Sequence, residues 1–223
     1  NIAPGDYGWV NVEMVQPVLT IIVKDEETGA GIATATAATA TLDFTATSPN
    51  GFAAQQLTIS GKGATAVIPN TTLVAGSSAK SIAAAVNGFT STTGVTARAT
   101  STATISGVTA GAVSFKLVGQ NAATAPVTIS ATVSSASDLS AIAQAVNAQS
   151  GTTNITATSD KSGNLVLTDN TGNDIKIGNL SGAGAGLTGA TIQGGNATTV
   201  AFAATGGAGD TAIVGGKVDF DSA

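Results

Sequence analysis

The chain has 223 residues, no cysteine, no histidine and a net charge of −5, and each of these facts removes a class of chemistry. Without His there is no imidazole base or imidazole metal ligand; without Cys there is no thiolate nucleophile, thiolate zinc site or disulfide. The 8 basic residues form no cluster, and phosphate binding needs clusters, so nucleic acid is excluded as a partner. Charged residues make up 9% of the chain, where about a quarter is usual, and aromatics only 4%. The core must therefore be built from Val, Ile, Leu and Ala. The length fits one large domain or two smaller ones. No signal peptide is visible at Asn1, and the chain is expected to be a piece of a longer protein. A low-charge surface rich in Thr, Ser and Ala leads to the expectation of an extracellular setting.

In chain order, Tyr7-Gly8-Trp9 holds the single Tyr and the single Trp. Val18–Lys24 reads as a buried strand because it is continuous and β-branched. Its apolar part, Val18–Val23, is far short of the roughly 20 residues of a membrane-spanning helix, so no membrane partner is expected. Asp25–Gly29 is a polar turn. Ala33–Thr47 alternates Ala and Thr, a period-two pattern for one or two strands. Asn50-Gly51 is the strongest short hairpin signal in the chain.

The middle of the chain holds an internal repeat. Ser81-Ile82-Ala83-Ala84-Ala85-Val86-Asn87 matches Ala141-Ile142-Ala143-Gln144-Ala145-Val146-Asn147 at an offset of 60 (142 − 82). The same offset aligns Val95-Thr96-Ala97 with Ile155-Thr156-Ala157, and Ile105 with Leu165. Leu57-Thr58-Ile59 and Phe115-Lys116-Leu117 open the two units. Each unit is expected to carry one helix. In the second, Ser137 is the expected cap, Leu139, Ile142 and Val146 form one face, and Gly151 is the expected left-handed close. In the first, Ser77 or Ser78 caps and Ile82, Val86 and Phe89 form the stripe. Strands follow at Asn154–Ser159, Asn164–Thr168 and Ile175–Ile177, as a small antiparallel meander. Residues 181–195 are low in complexity and read as a loop. Val200–Phe202, Ala212–Val214 and Lys217–Asp221 are strand-like.

These repeats resemble the flagellin insertion (IN) motif. The residues that carry the resemblance are Asp138–Asn147, Gly151, Ile155-Thr156-Ala157, Leu165-Val166-Leu167-Thr168 and Gly172–Ile177. Gly216–Ser222 is also similar to the strand by which flagellin's outer region returns toward its filament core. The resemblance covers residues 57–180 and that terminal strand; residues 1–50 do not carry it. The fold class expected is α+β, mainly β: antiparallel sheets and hairpins with two short helices, one per repeat. The resemblance implies an inner β domain of 1–50 plus 181–223, and an inserted domain of 51–180 built from repeats at about 57–107 and 113–180. It implies a structural, non-enzymatic role as the solvent-exposed outer domains of a flagellar filament subunit, an extracellular surface antigen serving motility. Its partners would be identical subunits in a filament lattice, with the isolated fragment monomeric. The alternatives are an outer domain of a flagellar cap or hook-associated protein, and an extracellular carbohydrate-binding or adhesive module.

Several clusters invite chemistry. Asp169-Asn170-Thr171-Gly172-Asn173-Asp174 has the oxygen density of a calcium loop, without the spacing or closing Glu of an EF-hand. Asp210, Asp219 and Asp221 form a second acidic group. Asp25, Glu26 and Glu27 offer carboxylates of the kind glycosidases pair, and Lys80-Ser81 and Lys161-Ser162 invite Ser-Lys chemistry. Tyr7 and Trp9 could stack on a sugar. A plain turn, a solvated surface, a hairpin tip and a small core explain these better, so no catalytic, cofactor or metal set is assigned. Asn70, Asn154, Asn179 and Asn196 begin Asn-x-Ser/Thr sequences, but O-linked sugars on exposed Ser or Thr are the favoured modification.

Overall fold

The computed structural model describes residues 10–15, 19–23, 33–36, 44, 50–179, 187–195, 199–202 and 211–222. In chain order the elements are β1 (Val10–Val15), β2 (Leu19–Val23), β3 (Ala33–Thr36), β4 (Gln56–Gly61), β5 (Ala64–Ile68), α1 (Ala79–Asn87), α2 (Thr90–Thr93), β6 (Val95–Ser106), β7 (Gly111–Val118) and β8 (Val127–Val133). There follow α3 (Ser140–Asn147), α4 (Ser150–Thr153), β9 (Thr156–Ser159), β10 (Asn164–Asp169), β11 (Ile175–Asn179), β12 (Thr191–Gly194), β13 (Thr199–Ala201), β14 (Thr211–Val214) and β15 (Lys217–Ser222). Three antiparallel sheets result, ordered β2-β1-β4-β5, β13-β12-β6-β10-β9 with β15 also on β6, and β3-β14-β11-β7-β8. The fold is α+β and mainly β, as the sequence leads one to expect, but each repeat carries a second, one-turn helix (α2, α4) after the single helix expected.

Period-two alternation makes β6 the spine. Val95, Ala97, Ala99, Ser101, Ala103 and Ile105 point inward along its 12 residues. Val95, Ala97 and Ala99 belong to one core with Leu57, Ile59, Ile68, Leu73 and Val86. Ala103 and Ile105 belong to a second core with Phe115, Leu117, Leu139, Ile142, Leu165 and Ile192. Ser101, fully buried, lies between the two.

Each core is covered by one helix of its repeat. Leu139, Ile142 and Val146 of the second helix region are completely buried. The first helix turns Ala79, Ala83 and Val86 inward, with Ile82 and Phe89 only partly covered. Both helices end in the same clamp. The Asn147 side-chain amide donates to the Ala157 carbonyl at 2.9 Å, and its oxygen accepts from the Ala157 N–H at 2.7 Å. Asn87 does the same to Ala97, at 2.9 and 2.7 Å. Thr153 and Thr93 then cap the turns that follow: each hydroxyl donates to the carbonyl four residues back, at 3.0 Å, and accepts from Ile155 or Val95.

The repeats differ in how their sheets are completed. In the second, Leu167 of β10 stands opposite Ala157, and Ile177 of β11 opposite Leu117. In the first, Phe220 of β15 stands opposite Ala97, and Val12 of β1 opposite Ile59. Strands from sequence-distant places thus fill in repeat 1 the positions that β10 and β11 fill in repeat 2. β3 pairs in turn with β14, Ala35 opposite Ala212.

Several local expectations are corrected. Ser137 does not cap α3; Asp138 instead accepts from the Ser140 N–H at 3.0 Å and the Ser140 hydroxyl at 2.5 Å. In the first helix Ser78 does cap, accepting from the Ser81 N–H at 3.3 Å. Gly151 lies inside α4, and the left-handed residue is Asn154, φ 59°, matching Gly94, φ 71°, in repeat 1. The third strand of the expected meander, β11, leaves β10 and pairs with β7 and β14. Within 181–195, residues 191–194 are a strand, because Ile192 is buried and β12 extends the sheet from β6.

Two measurements test this packing. Ile142→Ala should cost about 2–4 kcal/mol in denaturant unfolding, and Ile82→Ala distinctly less, because only Ile142 is fully enclosed. Asn147→Ala should cost about 1–3 kcal/mol by stranding both the donor and the acceptor of Ala157, and Asn87→Ala a similar amount.

Candidate functional site

Polar residues far apart in sequence meet where the two repeats join. Asn50 is 4% exposed and Asp174 8%. The Asn50 amide nitrogen donates to both carboxylate oxygens of Asp174, each at 3.2 Å, across 124 residues of sequence. It also lies 3.2 Å from the Gly76 carbonyl and 3.1 Å from the Ser77 carbonyl, ahead of α1. Its oxygen accepts from the Phe52 N–H at 3.1 Å. One side chain therefore ties the segment before β4, the entry to α1 and the entry to β11.

The loop before β11 supplies the rest. Gly172, φ 77°, accepts from the Lys80 N–H at 2.9 Å, which satisfies a first-turn donor of α1. A Cβ on Gly172 would overlap the Ala99 Cβ, and one on Gly216 would overlap the Ser101 hydroxyl. The strands and helix approach too closely here for any larger residue. Ser101 Oγ is buried with no hydrogen-bond partner among the described residues.

The calcium-loop candidate divides in two. The Asp169 carboxylate accepts from the Thr171 N–H and hydroxyl, each at 2.7 Å, from Asn154 at 3.1 Å and from Asn173 at 2.9 Å. Protein donors thus occupy its oxygens. Asp174 turns away to Asn50. Burial raises the Asp174 carboxyl above its ordinary value, against the opposing pull of Asn50 and the positive charge of Lys176. Lys176 itself donates to the Phe44 carbonyl at 3.1 Å.

The remaining candidates are dispersed. Lys80 donates to Asn173 at 3.4 Å while the Ser81 hydroxyl donates to the Ser78 carbonyl at 2.7 Å, so the two side chains serve different partners. Lys161, φ 58°, and Ser162 lie in a turn in which Asp160 accepts from the Ser162 N–H at 2.7 Å. Asp219 pairs with Lys217 at 3.6 Å and stands opposite Arg98, and Asp221 opposite Thr96. Asn154 is engaged with Asp169, and Asn179 accepts from the Leu187 N–H at 2.7 Å; Asn70 is exposed. Tyr7, Trp9, Asp25, Glu26, Glu27, Asn196 and Asp210 lie outside the described residues. Among the described residues no three acids gather, and no helix is long and apolar enough to cross a membrane.

The Asn50–Asp174 link escapes sequence reading. The Asn-Gly pair signals a hairpin, yet β4, the strand that follows, is paired by β1 on one side and β5 on the other. Gly51 does adopt φ 76°, so the turn forms, but the Asn side chain serves the junction.

A twice-built unit of hairpin, short helix and returning strands defines a repeat protein of IN-motif type. Residues 112–171, from β7 through the Asp169 turn, match the flagellin hook IN motif. The chain is also similar to the B-type flagellin of Pseudomonas aeruginosa, 37% identical over 157 residues, 67% of this chain and 30% of that relative. It is a flagellin-family sequence carrying this motif. It spans less than a third of the length of the relative it matches.

The raised Asp174 carboxyl has a pH signature. The folded state holds this proton to a higher pH than the unfolded chain does. The group therefore adds relative stability as pH falls from neutral through the raised pKa toward the usual carboxylate range, and loses it as pH rises. Asp138 and Asp160, lowered mainly by hydrogen bonds from Ser140 and Asn164, act in the opposite sense. Comparing Asp174→Asn with wild type isolates the first effect: melting temperatures measured from pH 7 to 4 should move steadily in favour of wild type. A pH-independent difference would contradict a raised carboxyl.

Proposed function

We propose that this chain forms the solvent-exposed outer portion of a bacterial flagellar filament subunit, a structural and non-enzymatic part of an extracellular appendage. The observation that carries the reading is the IN motif over residues 112–171, rebuilt with the same asparagine clamp in the preceding repeat. Similarity to a flagellin over 157 residues extends that support beyond the motif itself. In this reading residues 1–50 and 181–223 lead the chain out to residues 51–180 and back, while their strands β1, β12 and β15 complete the sheets of the repeats. The repeats add bulk to the filament, present its antigenic surface and carry any O-linked sugars on exposed Ser and Thr. Identical subunits in a helical lattice make heterologous contacts, each of which can be weak, which suits a surface with few charges. The fragment alone is monomeric, and assembly serves motility.

Immunogold labelling of intact source cells, with antibody against this fragment, tests the proposal. Gold along whole filaments is the expected result. Gold confined to the tip or the hook junction would assign the chain to a cap or hook-associated protein. Gold on the cell body alone would overturn the flagellar reading and favour an adhesive module.

A further inference from the structure

We infer that Asn50-Gly51 is a latent deamidation site that the folded junction protects, and whose conversion to aspartate removes the polar tie between the segment before β4, the entry to α1 and the entry to β11. The inference stands apart from where the protein is assembled. An Asn followed by Gly carries its own reaction, because no side chain on the second residue obstructs ring closure. The Gly51 backbone nitrogen attacks the Asn50 side-chain carbonyl carbon. The new C–N bond closes a five-membered imide, the Cγ–Nδ2 bond breaks, and ammonia leaves with the proton that Gly51 gives up. Water then opens the imide at either carbonyl, leaving aspartate or isoaspartate.

The junction opposes each stage. The leaving nitrogen is held by Asp174, Gly76 and Ser77, and the carbonyl oxygen by the Phe52 N–H. The reaction ends with the amide nitrogen leaving as ammonia, so the contacts that hold that nitrogen must break for it to proceed. A Cβ on Gly215 would lie 3.2 Å from the Asn50 Cβ, so the cleft is tight as well as polar. Water is kept from a residue that is only 4% exposed. Reaction therefore proceeds through local opening.

Once the reaction occurs it cannot be undone by closing the junction. The aspartate formed from Asn50 would present a carboxylate to the Asp174 carboxylate and to two backbone carbonyls, with no N–H to offer any of them. Like charges at that separation disfavour a shared site. The repeats keep their own cores and the strand β6 they share, and what is lost is the polar tie at the junction.

Peptide mapping by mass spectrometry of the full chain, aged at mildly alkaline pH, tests the protection. Native protein should lose the Asn50 amide at least about tenfold more slowly than the same chain in denaturant. Gly51→Ala should slow the reaction in denaturant, which identifies the imide route. Equal native and denatured rates would overturn the proposal without any variant. Asn50→Asp tests the consequence: its melting temperature should fall below wild type, and the deficit should be larger at pH 7 than at pH 5. A variant as stable as wild type at both pH values would show that the amide does not tie the junction.

Discussion

The constraint on which the rest of the structure depends is that one strand serves two cores. β6 gives Val95, Ala97 and Ala99 to the first and Ala103 and Ile105 to the second. A continuous strand cannot flex independently at its two ends, so the two repeats are held in fixed relation wherever its ladders are made. Its partners enforce this. β15 occupies the half from Val95 to Thr100, and β10 and β12 share the half from Ser101 to Ser106. The inward side chains around the changeover are small because other backbone must come near: Gly172 reaches Ala99, and Gly216 reaches Ser101 and Thr100. The alanine-rich composition is thus a packing requirement at this crossing as much as a surface trait.

The second consequence concerns the repeats. Repeat 2 is contiguous, and its helix, clamp and returning strands follow one another in sequence. That is the order a family pattern reads, and residues 112–171 match it. Repeat 1 has the same helix, the same clamp and the same left-handed turn. Its β10 and β11 equivalents, however, are β15 and β1. A linear comparison sees only half of that unit, and the family match falls on residues 112–171 of the second repeat. The helix stripe loosens too: the pairing of Ala79 with Leu139 and of a partly covered Ile82 with a buried Ile142 leaves the first core with smaller side chains.

What was legible in the sequence was whatever depended on local periodicity. The Leu139, Ile142, Val146 face, the strands after the second helix and the strand-like tail all follow from side-chain spacing over a few residues. What was not legible depended on contacts between distant segments. Ser137 is a good cap in isolation, but its carbonyl is taken by Gly163 and its hydroxyl lies 2.9 Å from Ser135, so Asp138 organises the helix entry. Asn50-Gly51 makes its turn, yet nothing nearby announces a partner 124 residues away. β12 sits in a glycine-rich stretch whose composition argues for a loop, and is a strand because Ile192 completes the second core. β1 escaped because its pairing with β4 lies beyond any local pattern.

The two acids of one short loop show how the junction is made specific. Asp169 and Asp174 are five positions apart and both buried, but their surroundings differ in kind. Asp169 is enclosed by donors from its own turn and from Asn154, so the loop is rigid before it touches anything else. That rigidity places Asp174 at the mouth of β11, where its side-chain donor among the described residues is the neutral amide of Asn50. A buried carboxylate with one neutral partner is stabilised less than a saturated one, and removing that partner strands it. The shared strand β6 already holds the two cores in fixed relation. The Asn50–Asp174 pair adds a requirement of another kind at the same junction: a buried carboxylate there accepts one particular amide, and so the segment before β4 has one place to sit.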